Sequence, residues 1–201
     1  MFKQFLWPLA GLAVIHLLMY FTFFDQKIFW YLYSGTALVM IALSISQSGI
    51  EKGRHPINRS IMYGIFSGVI LYCILYFTYQ LFLLLPGQFD QIISSLYNDL
   101  KPDLVWQLLS LILIIVPAEE IFWRGFIQRK LLEIVSPVTS VVITSILSAS
   151  VFIYSGEWTW MAAAFLGSII WGIMYNWKRS ISFIIISHLV FDLLFFYVVF
   201  I

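Results

Sequence analysis

Two short constellations carry the chemistry of this sequence: Glu119 and Glu120 followed by Arg124, and His188 followed by Asp192. Both lie inside long apolar runs. A charged side chain near the middle of a membrane costs about 3 kcal/mol on insertion scales, so each of these residues is a functional-site candidate by position alone. On a helix, residues four apart share a face, which places Glu120 and Arg124 to pair with the acid first, the favourable order. Glu119 then points about 100° away. Arg124 neutralises one carboxylate and leaves the other facing the interior, where it can serve as a general base or acid. His188 and Asp192 are also one turn apart, so imidazole and carboxylate project from one face.

The elements that must position these groups are transmembrane helices. Of 201 residues, 62% are hydrophobic and 10% charged, with a mean hydropathy of +0.95, whereas a soluble domain carries about a quarter charged residues. Crossing a hydrocarbon core about 30 Å thick takes roughly 20 apolar residues at about 1.5 Å each. Such runs are read over Phe5–Phe24, Ile28–Gln47, Ser60–Pro86, Leu104–Leu132, Val138–Ser155, Trp158–Asn176 and Ser180–Ile201. The runs do not alternate apolar and polar residues, which sets aside a β-barrel. The expected fold is therefore an all-α polytopic transmembrane bundle of about seven spans. Gly87 to Asp103, with Asp90, Asp99 and Asp103, forms the longest outer loop and is expected to hold a short interfacial helix.

The net charge of +1 provides no basic field for nucleic acid, but the placement of positive residues orients the chain. Assigning loops alternately puts Lys3, Lys52, Arg54, Arg59, Arg124, Arg129, Lys130, Lys178 and Arg179 on one side and only Lys27 and Lys101 on the other. Lys and Arg accumulate in cytoplasmic loops. The expectation is a multi-pass cell-membrane protein with its amino terminus in the cytoplasm and its carboxyl terminus outside. The first apolar run is long enough to span and has no A-x-A-like site after it, so it reads as a helix rather than a cleaved signal peptide. Cys73 has no partner cysteine and reads as a small apolar side chain.

Counting along the spans places Glu119 about 8 Å and His188 about 12 Å above the inner edge of the core, so two sites on separate helices reach similar depth. A structural alternative stands beside the catalytic one: Glu120 and Arg124 as a buried pair, and His188 as a polar contact between helices. A second glutamate without a partner in lipid weighs towards function. His16, between Ile15 and Leu17 with no acid nearby, reads as structural, and His55, before Pro56 in a basic loop, as solvated.

The stretch Glu119-Glu120-Ile121-Phe122-Trp123-Arg124-Gly125 resembles the Glu-Glu-x-x-x-Arg motif of the CAAX protease and bacteriocin-processing family of intramembrane proteases. Phe165-Leu166-Gly167 to Gly172, then Ser180 to Leu194 with His188 and Asp192, resembles that family's closing helices, marked by a His followed four residues later by Asn or Asp. Two motifs in this order, each on its own apolar segment, form a fairly specific signal. The resemblance covers roughly Leu104 to Ile201. It divides the chain into family-variable amino-terminal helices, 1–103, and a CAAX-protease-like catalytic core, 104–201.

The resemblance implies an intramembrane endopeptidase acting on a membrane-associated or lipidated protein or peptide. In it Glu119 activates water, Glu120 and Arg124 organise the site, and His188 with Asp192 orients the water or the scissile carbonyl. Membrane lipids and the substrate are the implied partners. A divalent metal, zinc, is one implied cofactor, with Glu119, His188 and Asp192 as its ligands; a metal-free glutamate mechanism is the other. The family's Phe-x-x-x-His element is matched by Phe152 to Gly156, with Gly where the His belongs. A catalytic zinc generally takes three protein ligands and an open position, so the missing His favours the metal-free route. Glu157 is a poor substitute because it falls near the outer surface. Two other readings follow: a degenerate family member that binds a membrane partner or confers immunity without cleavage, and a proton-coupled transporter, which no inverted repeat supports.

Overall fold

The computed structural model describes residues 3–48, 56–84 and 89–198; Lys52, Arg54, His55, Pro86, Gly87 and Ile201 lie outside the described residues, as do the side chains of Lys3 and Asp90. Among the described residues there is no strand. The chain is an all-α polytopic membrane bundle, in which every spanning backbone satisfies its own polar groups. Helices α1 (Lys3–Phe24), α2 (Phe29–Ser48) and α3 (Ile57–Leu83) come first, followed by the short α4 (Phe89–Leu100). The composite α5 (Val105–Leu131) comes next. Helices α6 (Pro137–Ser150), α7 (Trp158–Lys178) and α8 (Ile181–Tyr197) close the fold. Six segments are long and apolar enough to cross a membrane, and α8 is a shorter seventh apolar helix.

The spans therefore fall where the apolar runs place them, with two refinements. Gln26–Ile28 forms a 3₁₀ turn before α2, and Val151–Ser155 forms another that ends α6 at Gly156, whose φ of 74° is left-handed. The outer loop holds the expected helix, α4. It is amphipathic and seats Ile93, Tyr97 and Leu100 on the core, while Asp99 accepts a hydrogen bond from Trp160 Nε1 at 3.4 Å.

Helix α5, which carries the two glutamates, is not a regular α-helix. Wide π turns at Leu111–Ile115 and Trp123–Gln128 bracket the segment Val116–Phe122. The first has a local cause. Pro117 has no N–H to donate and its ring clashes with the carbonyl four residues back; a wide turn in which the Val116 N–H reaches Leu111 O accommodates it. Such bulges recur at functional sites because they rotate side chains off the regular helical face.

Helices α3 and α8 are pressed together through glycine. A Cβ added to Gly64 would stand 2.7 Å from the Ile186 side chain, and one on Gly68 would stand 2.6 Å from the Ser187 carbonyl oxygen. Small residues let helix backbones approach closely in lipid, where apolar burial gives no drive for association. Serine hydroxyls fasten the same seam, Ser67 to Ser187 at 3.0 Å and Ser60 to Ser180 at 3.2 Å. The large apolar residues outside the core, such as Phe66, Phe77, Leu113 and Trp177, are exposed, as lipid-facing residues should be.

Candidate functional site

Glu120 is the hub of the site. It is fully buried, and its Oε1 accepts from Arg124 Nη1 at 3.1 Å and stands 2.7 Å from His188 Nδ1. The pair expected from the i, i+4 spacing is thus formed. His188 Nε2 faces Asp192 Oδ2 at 3.6 Å. The imidazole is held between two carboxylates, one from its own helix and one from α5. Asp192 also interacts electrostatically with both Glu119 and Glu120.

The placement of His188 follows from the hairpin α7–α8. Arg179 takes a left-handed conformation, φ 49°, to end α7, and the Ser180 side chain caps α8 by accepting from the Phe183 N–H at 3.4 Å. Trp171 lies seven residues before Lys178 and His188 eight after Ser180, so on antiparallel helices rising about 1.5 Å per residue they meet at one height. Their rings stack with centroids 3.7 Å apart at 24°.

Glu119 differs from the expectation in one respect: it has a partner. The Tyr33 hydroxyl of α2 donates to Glu119 Oε1. Glu119 also interacts electrostatically with His188, Glu120 and Arg124. The glutamate and the imidazole therefore share a pocket, but the direct contact of His188 is with Glu120. Sequence reasoning missed Tyr33, because a tyrosine one turn into a span looks like an interfacial anchor. It also missed Gln128, which continues the Glu120–Arg124 stripe by one turn and donates to Gly172 O at 2.9 Å and Asn176 Oδ1 at 3.1 Å. That four-residue spacing could have revealed it.

The remaining candidates lie elsewhere. His16 bridges α1 to the end of α6, with Nε2 3.2 Å from Ser150 Oγ and Nδ1 3.1 Å from Tyr154 OH, the structural role its surroundings suggested. Gly156 and Glu157 are exposed, and a side chain built on Gly156 meets nothing within 4 Å. Glu157 does not join the site.

A zinc ion does not fit the residues as arranged. The ligands that the motifs suggested, Glu119, His188 and Asp192, share the pocket but not as a ligand set: among the described residues no group of three or more His, Cys, Asp or Glu side chains could hold a metal. His188 Nδ1 is committed to Glu120, and the Arg124 guanidinium already supplies the cation beside that carboxylate.

Fold and site together define a polytopic membrane protein with a carboxylate–imidazole centre buried among its helices. Residues 101–194 match the family described as type II CAAX prenyl endopeptidase Rce1-like. That match is consistent with the resemblance to the CAAX protease and bacteriocin-processing family, covers a little under half of the chain, and spans all five residues Glu119, Glu120, Arg124, His188 and Asp192. No curated protein and no solved structure matches the chain.

Proposed function

We propose that this protein is an intramembrane endopeptidase that hydrolyses a peptide bond of a membrane-associated or lipidated protein by a metal-free, glutamate-based mechanism. The observation that carries the reading is the convergence of two helices on one buried carboxylate, Glu120 Oε1, with a second carboxylate, Glu119, beside it. A structural ion pair accounts for Glu120 and Arg124. It does not account for Glu119 and Asp192 in the same pocket, since packed like charges are costly in lipid.

In this mechanism Glu119 takes a proton from water as the water oxygen attacks the scissile carbonyl carbon. Positive charge from Arg124 stands beside the developing oxyanion, the arrangement that lowers such barriers most. Glu120 holds that guanidinium in place and fixes the imidazole through Nδ1, and Asp192 steadies the ring at its other nitrogen, Nε2. When the C–N bond breaks, Glu119 returns its proton to the leaving amine, giving a carboxylate and an amine from peptide and water. The Nε and Nη2 of Arg124 and the Oε2 of Glu120 make no hydrogen bond among the described residues, which suits them to a substrate.

Eukaryotic relatives trim the last three residues from prenylated C-a-a-X proteins, and bacterial relatives are linked to bacteriocin maturation or immunity and cell-surface processing. The positive-residue count supports a cytoplasmic amino terminus. Purified protein that cuts a membrane-associated peptide should lose cleavage by at least 10³-fold with Glu119→Ala and by at least 10²-fold with His188→Ala, the range expected for losing a general base or a charge-positioning group. Unchanged cleavage in both variants, each shown to be folded, would end this reading.

A further inference from the structure

We infer that Tyr33 is a positioning residue for Glu119, so that the working site extends into α2, outside the segment that matches the protease family. This rests on the proposed peptidase reading and deepens it. Three observations carry it. First, the Tyr33 hydroxyl is bonded to Glu119, the carboxylate left over once Glu120 has taken Arg124 and His188. Second, Tyr33 is buried and interacts electrostatically with Asp192 as well, so its hydroxyl stands among the site's acids rather than at a lipid surface.

Third, α2 is fastened to α5 on both sides of this tyrosine. Tyr31 stacks on Trp106 with centroids 4.5 Å apart at 19°, and Ser34 Oγ lies 2.5 Å from Ser110 Oγ. Phe29, one turn earlier, packs against the Tyr33 ring at 5.3 Å. These contacts hold the register of α2 whether or not Tyr33 has a hydroxyl. The ring is therefore placed by its neighbours, and the hydroxyl is free to place Glu119.

The chemical consequence is a division of labour within one carboxylate. A flexible glutamate in a pocket with two further acids can swing away from them or turn its proton-accepting edge aside. With Oε1 held by the Tyr33 O–H, the Oε2 edge is presented in one orientation, and a base held in near-attack geometry reacts faster than one that must find it. Gly156 stands where the family motif would place a histidine, and it meets no side chain. The site nevertheless has a donor on Glu119, supplied from a different helix.

The test is a double-mutant comparison of Tyr33→Phe, Glu119→Gln and the two combined, read by kcat, KM and thermal stability in the same detergent. Tyr33→Phe is expected to lower kcat 10- to 100-fold with KM within about twofold, and to cause no further loss of activity in the Glu119→Gln background. A folded Tyr33→Phe protein with kcat within threefold of native, or a loss confined to KM, would overturn the inference while leaving the peptidase reading intact. If Tyr33→Phe does not fold, the combined variant decides. Its folding shows that the hydroxyl matters through Glu119, and its failure to fold assigns Tyr33 to packing alone. If the native protein cleaves nothing, the peptidase reading fails by itself. The coupling then rests on stability: Tyr33→Phe lowers the melting temperature when Glu119 is present and leaves it unmoved when Glu119 is Gln, and equal shifts in both backgrounds reject it.

Discussion

Helices α3 and α5 face opposite demands. In α5 39% of the spanning window is buried, in α3 only 11%. The first carries three charged residues at its centre and two π turns; the second presents Phe66, Ile70 and Phe77 to lipid and buries little besides glycine and serine. The difference shows that a membrane bundle spends polarity where chemistry is done and relies on close approach elsewhere. Yet α3 bears on the site, because Gly64 and Gly68 set how near α8, with His188, can come.

That contrast can be broken from either side. The largest effect is expected on α5: Arg124→Met removes the cation from a buried carboxylate and should destabilise by about 3–5 kcal/mol, because an uncompensated buried charge is left behind. Thermal unfolding in detergent would show it, and a loss under 1 kcal/mol would mean that Glu120 is satisfied by His188 alone. A smaller effect is expected on α3, where Gly68→Val places a side chain 2.6 Å from the Ser187 carbonyl oxygen. Overpacking of this kind costs about 1–3 kcal/mol, and cleavage should fall with it because α8 moves and takes His188 along. If stability drops while cleavage per folded molecule holds, the seam is structural only. The smallest effect belongs to Phe77→Leu, a lipid-facing exchange that should stay within about 0.5 kcal/mol and leave cleavage unchanged. A larger change there would mean that α3 has a partner on its outer face.

Much of the candidate site was legible because its geometry is local. Glu120 with Arg124 and His188 with Asp192 are each one turn apart, so helical periodicity alone puts each pair on one face. Tyr33 was not legible: 86 residues separate it from Glu119, and no periodicity links residues on different helices. The partner of His188 was half legible. Both glutamates were in view, but which of them meets the imidazole depends on the rotation of α5, and the π turns that flank Val116–Phe122 alter that rotation by an amount no regular helix predicts.

By itself the sequence determined that this chain lives in lipid, that it is built of helices, and which charged residues lipid would not tolerate without a reason. Those are consequences of composition and period, which act over one helix length. Only the tertiary structure decided that His188 bonds Glu120 rather than Glu119, that the Tyr33 hydroxyl meets Glu119, and that the suggested zinc ligands share a pocket without forming a group that could hold a metal. Those outcomes depend on how helices rotate and approach one another, and in a membrane that is settled by side-chain fit at the seams, such as Gly68 on Ser187, more than by any apolar pattern.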